Sequence, residues 1–190
     1  MKDLLILHPK RSLYYHYNLI QLMTSNIKAK LTYRIKVCIW IMIAGLALSG
    51  ITAFPIETEL AALVHSTAGY HGLLHNWLNT VYKAVHYTNH NYPYLSYGTD
   101  WLAFAHLLLA VLFIGPLKNP LKNSWVIEFG MIAAIAIFPL AFIAGEIRGI
   151  PLFWRLIDCS FGVIALTVLL PCYKMIRKIE AMEAATYGVF

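Results

Sequence analysis

Four long apolar stretches, Val37–Phe54, Trp101–Leu117, Trp125–Ala144 and Leu152–Tyr173, constrain this chain more than any other feature. A bilayer core about 30 Å thick needs roughly 20 apolar residues in one helix, with about 17–25 tolerated. All four fall in that window. The second lies at its lower end, spanning about 25 Å at 1.5 Å per residue, and it carries His106. Composition agrees, since 59% of the 190 residues are hydrophobic and 13% are charged, too apolar for an ordinary soluble domain. The expected fold class is all-α, an integral-membrane four-helix bundle forming a single membrane domain over 1–190.

Charge sets the expected orientation. Outside the spans, residues 1–36 carry seven Lys and Arg, and the loop between the second and third spans carries Lys118 and Lys122. The tail 174–190 adds Lys174, Arg177 and Lys178, giving 12 basic residues on one side against Lys83, Arg148 and Arg155 on the other. The positive-inside rule then predicts both termini on the cytoplasmic side of the cell's inner membrane. The formal charge of +6 follows from this bias, and anionic lipid would attract it. No basic groove motif accompanies it, so the expected partner is the lipid bilayer and not nucleic acid. The oligomeric state is not encoded in any pattern.

Residues 1–36 lack the basic start, apolar run and small-residue cleavage site of a signal peptide. Leu19, Ile20, Met23 and Ile27 have helical spacing behind Tyr14, Tyr15 and Tyr17, predicting a separate helix on the inner membrane surface. Met23 is a second candidate start beside Met1. In the outer insert 55–100, Leu74, Trp77, Leu78, Val81 and Val85 mark one helical face. At about 15 residues this helix is too short to cross and is expected in the interface. The stretch Asn91–Asp100, with Tyr92, Tyr94 and Tyr97, reads as an irregular loop feeding an aromatic belt, with Thr99 or Asp100 as the cap of the second span. Ser124 is a candidate cap for the third span, Pro139 is expected to kink it, and Gly145, Gly149 and Pro151 mark the turn to the fourth. Cys38, Cys159 and Cys172 have no metal or redox spacing and read as packing residues.

Three constellations are candidates for chemistry. Five histidines, His65, His71, His75, His86 and His90, lie in the outer insert. His71/His75 and His86/His90 are i, i+4 pairs, the spacing at which two imidazoles on one helix can share a metal. His71 and His75 are the candidate metal ligands, with interfacial polar histidines as the bland alternative, so a divalent metal cofactor stays open. Asp100 and His106 lie in the second span about 9 Å apart along the axis. Ionisable groups there usually face the protein interior, although a single partner suffices to hold a neutral His106. The hairpin from Gly145 to Asp158 gathers Glu146, Arg148, Arg155 and Asp158. These four close the bundle as salt bridges, or Arg148 and Arg155 bind an anion such as a lipid head group. In the second case Asp100, His106, Glu146 and Asp158 are the candidate catalytic residues for proton transfer or metal binding. Glu128, near the start of the third span, reads as structural.

An acid and a histidine early in one span, followed by Glu146, Arg155 and Asp158 around the next hairpin, resembles the layout of VanZ-like four-helix membrane proteins over about 101–165. The spacings of Asp100 to His106 and of Asp158 to Gly162 depart from that family's pattern, as does the long insert. No residue role is carried over from it. No nucleophile–base pair, P-loop, nucleotide fingerprint or metalloprotease motif is present. The leading expectation is a non-enzymatic accessory or lipid- or partner-binding protein with a polar pocket on its extracytoplasmic side. The alternative is a small membrane-embedded enzyme acting on a lipid-linked or envelope substrate, and a proton-coupled transporter comes third.

Overall fold

The computed structural model describes residues 8–70 and 72–187. Among them every regular element is helical: α1 (His8–Ala53), α2 (Ile56–Ser66), α3 (Leu73–Asn91), α4 (Pro93–Leu112), α5 (Ile114–Lys118), α6 (Ser124–Pro139), α7 (Gly145–Ile147) and α8 (Leu152–Tyr187). A single π turn, Leu140–Ala144, joins α6 to α7. Four segments are long and apolar enough to cross a membrane: Gln21–Ala53, Pro93–Lys118, Ser124–Ile147 and Leu152–Ala185. The four apolar stretches thus appear as helices, but three of them are parts of longer ones.

The first and fourth spans run well past the predicted ends. No Gly or Pro interrupts residues 10–44, so the expected surface helix is continuous with the first span in α1. Met23 lies inside this helix, while Met1 and the side chains of Tyr14, Tyr15, Tyr17 and Ile20 fall outside the described residues. The tail from Lys174 likewise stays helical to Tyr187, because it is built from Lys, Arg, Glu, Met and Ala. Pro93 takes the first helical position of α4, where its missing N–H costs nothing. The predicted loop over Asn91–Asp100 is therefore mostly the first turns of α4, and Thr99 and Asp100 lie inside the helix instead of capping it. At α6 the cap position belongs to Asn123, with Ser124 the first helical residue.

The chain divides into two compact units, one of Met1–Trp40 with Pro116–Phe190 and one of Ile41–Gly115. In the first, α6 packs along α8. Gly162 makes that approach close: a Cβ there would lie 2.6 Å from the carbonyl oxygen of Ala134. Small residues let helix backbones meet in this way in lipid, where the hydrophobic effect does not drive helices together. Ile127, Leu169, Cys172, Ile176 and Ile179 are fully enclosed around this contact, with Ile35 and Ile39 of α1. The buried thiol of Cys172 faces that of Cys38 on α1, and the ammonium of Lys28 bonds the carboxylate of Glu183.

The second unit is built around α3, which packs against α2 and α4. Its apolar face is used for this packing: Leu78 is buried and Trp77, Val81 and Val85 are half-buried, while Leu74 at the start stays exposed. Helix α2 was not legible as a separate element. It starts after Pro55, with Glu57 and Glu59 in the first turn beside the positive end of the helix dipole. Gly50 of α1 repeats the glycine device of the first unit. A Cβ on it would lie 2.8 Å from the carbonyl oxygen of Ala103 in α4.

Candidate functional site

The hairpin between the third and fourth spans is shaped by two sequence features. Pro139 has no N–H to give the carbonyl of Ile135, and the helix answers with the π turn Leu140–Ala144. Where a kink was expected, a wider turn follows Pro139 and carries the chain on into α7. Glycine then ends α7. Gly149 sits at φ +67°, a left-handed conformation that glycine adopts without strain. The N–H of Ile150 reaches the carbonyl of Gly145 at 2.9 Å and the N–H of Gly149 that of Glu146 at 3.0 Å. That pair of bonds is a Schellman closure. Pro151 follows, and its carbonyl accepts the N–H groups of Trp154 and Arg155 to open α8.

This turn lays the Arg155 side chain on Gly145. A Cβ at Gly145 would come 2.6 Å from Arg155 Cδ, so no larger residue leaves the arginine where it is. Arg155 Nη1 is 2.6 Å from Glu146 Oε2, but the two partners differ: the arginine side chain is 12% exposed and the glutamate 72%. Arg155 Nε is enclosed with no hydrogen-bond partner among the described residues. Arg148 is exposed and Asp158 half-buried, and no hydrogen bond or ion pair reaches the side chain of either among the described residues. Arg155 does not pair with Asp158, three residues further on, but turns back to Glu146.

Asp100 and His106 belong to the other unit. Asp100 is half-buried in the second turn of α4 without a polar partner among the described residues. His106 Nδ1 donates to the carbonyl of Leu102, 2.8 Å away and one turn back. That bond satisfies one ring nitrogen within its own helix. Glu128, in the second turn of α6, faces the hydroxyl of Tyr173 on α8.

The histidines are redistributed. His71 lies outside the described residues, and α3, which carries His75, begins at Leu73. His75 Nδ1 is instead 3.0 Å from the Thr67 hydroxyl, across the turn between α2 and α3. Among the described residues no group of three His, Cys, Asp or Glu side chains is placed to hold a metal ion together. A different cluster appears. Glu57 Oε1 lies 2.6 Å from His86 Nδ1, and Glu57 Oε2 accepts from Asn89 Nδ2 at 2.5 Å. Asn89 in turn accepts the hydroxyl of Ser96, tying α2, α3 and α4 together. His86 first, and Asn89 second, hold the Glu57 carboxyl below its usual range by bonding its ionised form. Sequence reading passed over Glu57, although Pro55 followed by two acids is a helix-start signal. No protein-family model, curated protein or solved structure matches this chain.

Proposed function

We propose that this chain is a multi-pass inner-membrane protein that holds an anionic head group at its Glu146–Asp158 hairpin, in a non-enzymatic accessory or lipid-binding role. The observation that carries the reading is Arg155. Its stem is packed on Gly145, and among the described residues its enclosed Nε has no partner and its one ion pair is to a largely exposed glutamate. A planar guanidinium with free donors suits a phosphate or carboxylate, which accepts two parallel N–H bonds. Arg148, seven residues before it and exposed, adds a second positive charge. Exposed Ile147 and Leu152 flank the turn and suit an anion that carries an apolar tail.

Both termini are placed on the cytoplasmic side in this reading. Support comes from the count of basic residues outside the spans and from the Lys28–Glu183 bond, which joins the basic end of α1 to the basic end of α8. The hairpin then faces the extracytoplasmic side.

The test is lipid and metabolite mass spectrometry on purified protein, compared with Arg155→Ala. The expected result is one anionic lipid or metabolite class retained by the wild type and lost from the variant. An identical ligand profile in the two proteins overturns the reading. One observation favours a second reading: Asp158, one turn beyond Arg155, is half-buried and unpaired among the described residues. A carboxylate there is available for proton transfer on a bound lipid-linked substrate. In that case Asp158→Asn retains the ligand and accumulates it unconverted.

A further inference from the structure

The Glu57 cluster has the organisation of a ligand site without a ligand of its own. An ionised carboxylate can only accept, so the proton in the bond to Glu57 Oε1 sits on His86 Nδ1. In the neutral ring the lone pair is then on Nε2, which has no partner among the described residues, and the His86 side chain is 59% exposed. A carboxylate on one ring nitrogen is what usually fixes the tautomer and orientation of a metal-binding imidazole. Glu57 is fixed in its turn by Asn89, and Asn89 by Ser96.

His90 follows one turn along the same face of α3. Its ring stacks on that of His86 with centroids 6.5 Å apart and planes 18° apart, and Tyr82 stacks on the other side at 5.8 Å. His90 is exposed, and its side chain makes no hydrogen bond among the described residues. Two imidazoles at i, i+4 on one helix can share a single ion. Both Glu57 oxygens are already engaged, so the carboxylate stays outside the coordination shell. The protein then supplies two nitrogens and leaves the remaining positions to water or to an external ligand. Imidazole selects zinc, copper or nickel over magnesium and calcium.

We propose that His86 and His90 form a two-imidazole site for a divalent transition-metal ion of the zinc class, oriented by Glu57. The site stands apart from the hairpin reading and does not depend on it.

Full-length protein in detergent, stripped with EDTA, is titrated with ZnCl2 by calorimetry. One zinc ion per chain is expected, with no heat from MgCl2. His86→Ala and His90→Ala should each weaken binding by at least about tenfold, and Glu57→Gln by about 10–100-fold with the stoichiometry unchanged. His75→Ala should bind as the wild type does. Absence of stoichiometric zinc in the wild type overturns the proposal, as does wild-type binding by the double variant His86→Ala/His90→Ala. Loss on His75→Ala alone overturns it too, by moving the site. A measurement on the unaltered chain guards against misfolded variants: ZnCl2 should protect His86 and His90, but not exposed His65, from diethylpyrocarbonate. Equal labelling of all three with and without zinc overturns the assignment.

Discussion

Each unit of this molecule joins two helical segments by an acid–base pair near their ends, and the two pairs are built in opposite ways. In the hairpin the cation is enclosed and the acid is out, with Arg155 at 12% and Glu146 at 72% exposure. In the α2–α3 contact both partners are accessible, His86 at 59% and Glu57 at 32%. Glu57 has every oxygen engaged and passes its order on through Asn89 to Ser96. Arg155 keeps an enclosed N–H without a partner among the described residues. One network is complete and leaves its spare valence on exposed nitrogens. The other is incomplete at its centre, where an unsatisfied donor is expensive. Spare hydrogen-bonding capacity in a buried cation calls for an anion, whereas spare lone pairs on oriented imidazoles call for a metal ion.

The sharpest way to separate the units is through their glycines. Gly162→Ala pushes a methyl group against the Ala134 carbonyl, a backbone atom that cannot move aside. The expected cost is about 1–3 kcal/mol, read as a lower thermal midpoint in detergent. Gly50→Ala meets the Ala103 carbonyl at 2.8 Å rather than 2.6 Å and should cost less. A reversed order would show that the α1–α4 contact is the less forgiving one.

Gly145→Ala is predicted to act differently, because its methyl group meets the flexible stem of Arg155. Forcing that side chain off its rotamer costs about 0.5–1.5 kcal/mol. The more telling readout is ligand retention, which should fall as it does for Arg155→Ala while both arginine charges remain. Retention unchanged by Gly145→Ala would mean that the seat on Gly145 does not matter.

Glu146→Gln should alter stability by no more than about 1 kcal/mol, as expected for a pair with one largely exposed partner. Its effect on anion retention should be opposite in sign to that of Arg155→Ala, because it frees Nη1 for the ligand. Weaker retention in this variant would make Glu146 part of the recognition surface and not a competitor for it.

The smallest effect is expected from pH at the other pair, in chelated buffer. The folded Glu57 carboxyl lies below its unfolded value, ordinarily about 4.3, because His86 and then Asn89 bond the ionised form. Its contribution is therefore fully present above that value and is lost as pH falls through the folded one. The protection factors of α2 amides, which are corrected for the intrinsic exchange rate at each pH, should fall over that range in the wild type. Glu57→Gln should abolish this pH dependence, and persistence of it in the variant would assign the effect to another group.

Helical class, the four apolar segments and the turn at Gly149 and Pro151 were legible in the sequence, because each rests on local chemistry. Helix ends were not. A run such as Lys174 to Ala185 reads as a tail by charge, yet its residues are good helix formers and the helix continues. The stretch at Pro93 misled in the opposite sense, since Pro, Gly and Tyr suggest a loop until Pro93 is placed at the first helical position. Of the site residues, the Glu146, Arg148, Arg155 and Asp158 grouping was visible from hairpin geometry, but not which partner Arg155 would choose. The Glu57–His86 bond joins residues 29 positions apart across an unpredicted helix. No periodicity or spacing rule reaches that far.

The π turn after Pro139 also sets a phase. A wider turn absorbs one residue more than an α turn, and one residue is about 100° of rotation about the helix axis. Everything downstream, from Gly145 onwards, is dialled round by that amount relative to Ala134 and Gly130. Chains that shed one residue between Leu140 and Ala144 would regain an ordinary helix and swing Gly145 and Glu146 away from Arg155. The length of this five-residue segment is therefore under tighter constraint than the identity of its exposed members Leu140, Phe142 and Ile143.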